Sequence, residues 1–393
     1  MVEYDPFSPE VMNDPQPIYR RMRDEAPAYY CEKWNCWALS RFEDIWKASA
    51  DVRHFTATKG TTSAHLLTKV QPATPMINLM DPPEHTKLRQ AFRGYFAAPE
   101  VAKLEPMIRE MTRTQIDAQM ERGEIDAMGE LASLVAVTVA CTVNGLPVED
   151  GPLLNDLVWR FFRREPGVEG MTEDGLAAFG EMDAYFREQI AKRRAAAPRE
   201  DVLGTLLEIE IGGAKLDEAA ISSHLAMLII GGAETFPKTF ANALRRLAEH
   251  PDQRAECVAD MALIPDAFTE ALRFDMPTQF LCREVTKEVE FHGQKMEPGQ
   301  PILFLYPSGN HDEREFENPD DFDIHRRAPR ILSFGYGAHS CLGINVARLE
   351  AKVCLEETLQ SMPEYEIHLD RAERLVTDFV QGYASFPITF PAG

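Results

Sequence analysis

Phe334-Gly335-Tyr336-Gly337-Ala338-His339-Ser340-Cys341-Leu342-Gly343 is the stretch on which the reading of this chain turns. It sets two glycines, a histidine and a cysteine just ahead of a third glycine, where a helical pattern begins. A dinucleotide-binding turn would need G-x-G-x-x-G; the third position here is Ser340, and no acidic partner follows at the required distance. A zinc site would need two more ligands beside His339 and Cys341. A buried, inert thiol is the ordinary reading of a lone cysteine. It leaves the alternating glycines and the helix start unexplained.

The reading that uses every residue is a haem-thiolate loop. Gly335 and Gly337 permit a tight turn under a flat ring. Cys341 lies just ahead of a helix starting near Gly343, where unpaired N–H groups stabilise a thiolate. Gly343 has no side chain to strike the ring, and Phe334 shields the sulfur from water. The stretch resembles the signature of the cytochrome P450 family, the haem-thiolate monooxygenases. Its continuation, Ile344-Asn345-Val346-Ala347-Arg348-Leu349-Glu350, is similar to the bacterial members.

The resemblance extends over nearly the whole chain. Glu270-Ala271-Leu272-Arg273 matches the family's E-x-x-R pair, whose i,i+3 spacing puts both charges on one helix face. The family role is structural, tying the segment before the cysteine loop to the haem-binding core. One departure follows. Where the family often has an arginine before a phenylalanine, this chain has Asp321 in Pro319-Asp320-Asp321-Phe322. Either Asp321 pairs with Arg273, or Arg326 or another group fills the place. His85 and Arg89, in Asp81-Pro82-Pro83-Glu84-His85-Thr86-Lys87-Leu88-Arg89, match the family's H-x-x-x-R helix. At i,i+4 they point the same way, and the resemblance implies that they hold a haem propionate. Arg283 and His339 match two further propionate ligands. The resemblance thus makes His85, Arg89, Arg283, Phe334, Gly335, His339, Cys341 and Gly343 the expected haem-binding residues, with Cys341 as the iron ligand.

Gly231-Gly232-Ala233-Glu234-Thr235 resembles the family's [AG]-G-x-[DE]-T oxygen-activating segment in a long central helix. A helix with an incidental Glu-Thr would leave the glycine pair and Pro237 in mid-helix without a reason. The threonine hydroxyl can bond back to the preceding turn, which favours a local bulge. Pro237 removes the helical bond to the Ala233 carbonyl. The family assigns Thr235 a hydrogen bond at the oxygen site and Glu234 a proton relay from solvent, so both are expected catalytic residues. The family often continues with a second threonine; here Phe236 follows, to narrow the pocket or to face away.

Composition agrees with an ordinary globular protein. The chain has 393 residues, 45% apolar and 26% charged, and 41 Lys+Arg against 63 Asp+Glu give a net charge of −22. Such an acidic excess argues against general binding to nucleic acid or anionic membranes. The N-terminus shows no signal-peptide pattern. The longest apolar run in the middle of the chain, Leu225 to Ile230, is short of the ~20 residues that span a bilayer. Seven scattered cysteines suggest a reducing compartment. Cys31 and Cys36 near a hairpin turn lack a second pair to complete a zinc site.

Periodicity predicts a hairpin at 28–39, a helix at 41–50, an irregular stretch at 53–80, and helices at 84–95, 99–121, 126–144, 150–163 and 173–197. Residues 165–170 read as a loop. A helix of about 50 Å runs from Asp217, its cap, to His250. Short helices follow at 252–260 and 263–274, strands at 279–291 and 300–305, an irregular stretch at 306–330, a helix at 343–361 and a β-like tail at 364–390. The fold expected from the resemblance is mainly α with small β-sheets, one haem-thiolate monooxygenase domain over residues 1–393.

The implied reaction is RH + O₂ + 2 e⁻ + 2 H⁺ → ROH + H₂O, with haem b as cofactor. The family's haem domain accounts for all 393 residues, leaving no place for a fused reductase. Electrons are then expected from a separate ferredoxin or flavodoxin fed by an NAD(P)H-dependent reductase. Arg89, Arg93, Arg109, Arg113 and Arg330 are candidates for docking it. The substrate is expected to be a small to medium apolar or aromatic molecule. Its pocket is expected from the loop at 59–80, Phe161 to Phe179, Met227, Ile230, Gln279, Phe280 and Val380. A cytoplasmic monomer without nucleic-acid or membrane partners completes the picture. Two rivals are a peroxide-using haem-thiolate enzyme and a non-catalytic haem-binding sensor; the Glu234-Thr235 pair speaks against both. If Cys341 is the ligand, the reduced protein with carbon monoxide will show the red-shifted Soret band of a thiolate complex. Cys341→His will lose it, and a variant that keeps the band would sink the assignment.

Overall fold

The central helix, Glu218–Glu249, organises the molecule. Asp217 caps it, its carboxylate accepting from the Ala220 N–H at 2.8 Å. Pro251, which cannot prolong a helix, opens the next one instead. The computed structural model describes residues 2–70, 74–165 and 170–391. The helices Ser133–Asn144, Gly151–Phe162, Glu173–Ala195, Ile264–Phe274 and Ile344–Ser361 pack around the central one. Gly232 lets the Ser133–Asn144 helix approach closely: a Cβ there would stand 3.0 Å from the Ala140 Cβ.

The stretches Ala127–Asn144 and Glu218–Glu249 are long and apolar enough to cross a membrane by length and composition. Both bury more than half of their apolar window inside the protein, 61% and 56%, as core helices do.

Beside the helices lies a five-stranded sheet ordered Ala28–Cys31, Cys36–Leu39, Pro301–Phe304, Leu281–Val285, Phe55–Thr56. Its one parallel pair joins Cys36–Leu39 to Pro301–Phe304; the others are antiparallel. The tail forms small sheets, of which Glu366–Ile367, Pro387–Thr389 and Glu124–Asp126 make one.

Three sequence expectations shift. The helix expected at 99–121 breaks into Ala98–Val101, a 3₁₀ turn and Glu105–Asp117, with Pro106 near the start of the last piece. The strand expected from 279 begins at Leu281, because Gln279 gives its N–H to the Phe379 carbonyl and Thr278 bridges to Val380. A helix at Val202–Glu208 was not legible. It is too short to stand on propensity, and forms because Asp201 caps it and is itself held by Arg193 at 2.7 Å. Residues 166–169 of the expected loop, and 71–73 of the expected irregular stretch, lie outside the described residues.

The cysteine loop is anchored from behind. Glu270 takes Arg273 side-on, with two contacts of 2.8 Å, and both are almost fully buried. Arg273 also donates to the Asn310 and Pro319 carbonyls at 2.7 and 2.9 Å. The Asn310 side chain accepts from the Leu332 N–H and donates to the Ser333 hydroxyl. Those two residues lead straight into Phe334. The choice between Asp321 and Arg326 is thereby resolved. Arg326 donates to Glu270 at 3.0 Å and to the carbonyls of Glu317, Asn318 and Asp321. Asp321 contributes only its backbone; its side chain is exposed. Arg326→Ala is expected to cost about 3–5 kcal/mol by leaving part of a buried charge uncompensated, against less than ~0.5 kcal/mol for Asp321→Ala. Urea unfolding of the two variants checks the contrast.

Candidate active site

A cavity of about 420 Å³ opens between the central helix and the cysteine loop. The loop folds as its glycines allow. Gly335 adopts φ +65°, and the Cys341 N–H closes back on the Phe334 carbonyl at 2.7 Å. Gly337 (φ +77°) presses on the end of the helix Phe42–Ala50, where a Cβ would stand 2.8 Å from the Ser49 carbonyl oxygen. A Cβ at Gly343 would meet nothing. The Cys341 side chain opens on the cavity but is otherwise walled by protein. Burial raises its thiol pKa, opposed by the Gly343 N–H and the charge of Arg89.

The wall opposite carries Gly231, Gly232, Thr235 and Phe236. Thr235 donates to the Gly231 carbonyl at 3.4 Å, the back-bond expected of it, and among the described residues no other donor or acceptor engages its hydroxyl. Phe236 borders the cavity while packing on Phe240 at 5.9 Å. Glu234 is placed differently from the expectation of a solvent-facing relay. It is buried, does not line the cavity, and pairs with Lys238 one helical turn on, which is buried too. Gly382 packs over the Lys238 stem, where a Cβ would stand 2.9 Å from it. Burial pushes the Glu234 carboxyl up in pKa, and Lys238 draws it back.

A set of cationic and hydrogen-bonding groups borders the same space. His85 and Arg89, one turn apart on the helix Glu84–Phe92, both line it. So do Leu281 and Arg283, alternate residues of one strand, while Cys282 between them turns into the core. His339 stacks on His85 with ring centroids 4.1 Å apart. Its Nε2 is buried without a hydrogen-bond partner. Burial, then the neighbouring positive charges, hold both imidazoles far below their usual pKa, His85 at about 4. Arg283 donates only to its neighbour's carbonyl at 2.7 Å, and among the described residues Arg89 has no hydrogen-bond or ion-pair partner. Uncompensated buried donors beside a thiol are what a ring with two carboxylates would satisfy. The residues present therefore fit haem.

The rest of the cavity wall is mostly apolar, including Met76, Ile77, Phe161, Met227, Leu228, Ile230 and Phe379. Of the expected pocket residues, Phe179, Gln279, Phe280 and Val380 do not border it. Gln279 is buried with its amide turned to the Pro277 carbonyl, and Thr278 takes the cavity side. Gln279 precedes the strand Leu281–Val285, so the alternation that turns Leu281 and Arg283 to the cavity does not reach it. Arg164, Asn78 and Ser63 also border the cavity, and no motif marks them. The expected basic docking set disperses as well. Arg89 faces the cavity, Arg109 and Arg113 pair with Glu357 and Arg330 with Glu315, while Arg93 is exposed. No group of three or more His, Cys, Asp or Glu able to hold a metal occurs among the described residues.

Residues 169–376 match the family model for cytochrome P450. The chain is 33% identical over 391 residues to a putative cytochrome P450 123 of Mycobacterium bovis, covering 99% of this chain and 97% of that one. It is 30% identical to a steroid C26-monooxygenase of Mycolicibacterium smegmatis, covering 95% and 92%. Among solved structures it is similar to a post-tailoring hydroxylase of himastatin biosynthesis, with a TM-score of 0.85, 29% identity and coverage of 96% and 97%.

Removing one of the unpaired cations should loosen a bound haem without unfolding the protein. Arg89→Leu is expected to release haem to a scavenger apoprotein about ten- to a hundredfold faster, from the loss of a charge-assisted hydrogen bond worth ~1.5–3 kcal/mol. Unchanged transfer would show that Arg89 does not hold the cofactor.

Proposed function

The chain belongs to the cytochrome P450 family and is a haem-thiolate monooxygenase; from that premise we propose that it hydroxylates a small to medium, largely apolar or aromatic organic molecule, taking electrons from a separate ferredoxin or flavodoxin and its NAD(P)H-dependent reductase. The observation that carries this reading is one cavity walled by Cys341 on one side and by Gly231, Gly232 and Thr235 on the other, with apolar side chains between. Cys341 is the proposed iron ligand. His85, Arg89, Arg283 and His339 are the proposed propionate ligands, and Phe334, Gly335 and Gly343 form the proposed bed for the ring. One domain spanning residues 1–393 carries all of it. The seven cysteines are unpaired, as a reducing cytoplasm would keep them.

Haem b supplies oxygen activation and transfer, and a thiolate ligand favours O–O cleavage. Everything else falls to the chain. The apolar wall orients the substrate and excludes water, which strengthens each remaining electrostatic contact. Gly231 keeps the helix surface bare where oxygen must sit. The Thr235 hydroxyl, lightly held by its 3.4 Å back-bond, is free to turn and donate its proton at Oγ1 into the cavity. Glu234 supplies protons at its carboxyl oxygens from behind the helix. Burial raises the pKa of that carboxyl and Lys238 draws it back, which lets the group take up a proton and pass it on in a dry place. Glu234 is therefore a proton store tied to Lys238 instead of a group open to solvent.

Partner-dependent NAD(P)H and O₂ consumption with candidate substrates tests the assignment. Thr235→Ala is expected to keep consuming NAD(P)H while peroxide replaces hydroxylated product. Lys238→Met is expected to slow turnover about ten- to a hundredfold and to raise the solvent isotope effect, whereas Lys238→Arg restores most of the rate. Full coupling in Thr235→Ala, together with a wild-type rate in Lys238→Met, would remove both groups from proton delivery.

A further inference from the structure

One cation borders the cavity outside the group proposed to hold haem. Arg164, two residues past the helix Gly151–Phe162, spends Nη1 on that helix end, with the Phe161, Phe162 and Arg163 carbonyls at 3.2, 3.1 and 3.1 Å. Nε is buried without a hydrogen-bond partner, and Nη2 has none among the described residues. Asp378 stands 3.5 Å from Nε, its side chain 2% exposed, and is held from the opposite side by the Ser63 hydroxyl. That carboxylate does not border the cavity. It forms an ion pair with the guanidinium at Nε without a hydrogen bond, and so fixes where Nη2 lies.

Nε is buried beside Asp378, which leaves Nη2 as the donor able to meet one oxygen of a carboxylate in the cavity through a charge-assisted hydrogen bond. No anion already in the cavity answers it. The one carboxyl group among the described lining residues is Glu350, on the helix that follows the cysteine loop, and burial raises its pKa. His65, the other basic group bordering this region, is pushed down to about 4 by burial and carries no charge at neutral pH. Close by in the chain, Asn78 donates to Thr61 at 2.9 Å and keeps its Oδ1 buried without a partner. The cavity is thus mostly apolar with one polar spot around Arg164. Three separate segments build it: residues 61–63, the end of the Gly151–Phe162 helix, and the turn at Asp378.

We propose that Arg164 is a specificity-determining residue that binds a carboxylate on an otherwise apolar substrate, with Asp378 and Ser63 as its positioning residues. The proposal deepens the monooxygenase reading above and rests on it. It narrows the substrate class to apolar molecules that carry a carboxylate, held so that a part of the molecule away from that group meets the oxygen site.

Spectral titration of the holoenzyme with matched pairs tests it: dodecanoic acid, 4-phenylbutyric acid and a steroid carboxylic acid, each against its methyl ester. At pH 7.5, where each acid is ionised, at least one acid is expected to bind about tenfold or more tighter than its ester. Arg164→Leu should abolish that preference while leaving ester affinity within about twofold. Arg164→Lys, which keeps the charge but not the guanidinium geometry, should retain only part of it. The carbon monoxide spectrum of each variant reports the haem-thiolate reading separately. Loss of the thiolate band in the wild type would overturn that reading, whatever the titrations give. No acid preferred over its ester by the wild type overturns the carboxylate proposal, even if Arg164→Leu fails to fold. A preference that survives intact in Arg164→Leu overturns it as well.

Discussion

The carboxylate of Glu270 is the constraint on which the rest of the structure hangs. It is buried, so it must be met from all sides or cost several kcal/mol. Arg273 meets it side-on from the same helix, Arg326 comes from the chain that follows, and the Asp323 N–H completes the set at 3.2 Å. Arg273 is committed in turn to the Asn310 carbonyl, and the Asn310 side chain fixes Leu332 and Ser333. The cysteine loop therefore starts from a backbone that cannot drift. A site that needs one sulfur in one place is built on a buried charge cluster more than on the loop's own glycines.

The central helix supplies the facing wall, and its two sides do different work. Toward the cavity it shows Gly231 and Thr235, small and lightly bonded. On the hidden side it buries Glu234 against Lys238, under the turn at Gly382. Helical geometry separates residues adjacent in sequence by about 100°. Glu234 and Thr235 accordingly point to different environments, one dry and ionic, the other open. A buried ion pair is weak evidence for stability, since an apolar pair of similar volume often packs as well. Its position beside Thr235 gives it a chemical reason.

Charge in this protein is arranged at two scales. The net charge is −22, yet among the described residues the cavity wall carries Arg89, Arg164 and Arg283 and, as its one acid, Glu350, whose pKa burial raises. On the surface, Arg109, Arg113 and Arg330 are absorbed by local carboxylates. The cavity cations lie where a low dielectric makes each interaction count for more.

The local patterns of the sequence determined much of this protein. The glycines around Cys341, the i,i+3 pair Glu270 and Arg273, the i,i+4 pair His85 and Arg89, and the capped helix from Asp217 are short-range facts, and each forms where its spacing requires. His85, Arg89, Arg283, His339, Cys341 and Thr235, scattered over the chain, all border one cavity. What the spacing could not fix are contacts between distant segments. Arg326 took the place that Asp321 might have filled, because the turn after Pro319 presents the Asp321 carbonyl inward and leaves its side chain in solvent. Gln279 turned from the cavity because its backbone pairs with Phe379, a hundred residues on. Lys238 sits at an ordinary i,i+4 distance from Glu234, a spacing shared by many exposed pairs, and only the packing of Gly382 and its neighbours makes this one dry. Arg164 has no motif at all; its guanidinium is fixed because Asp378 and Ser63 arrive from the far end and the near end of the chain. Local geometry is written in spacing, but burial is a property of the whole fold, and burial decides which of these charges remain free to act.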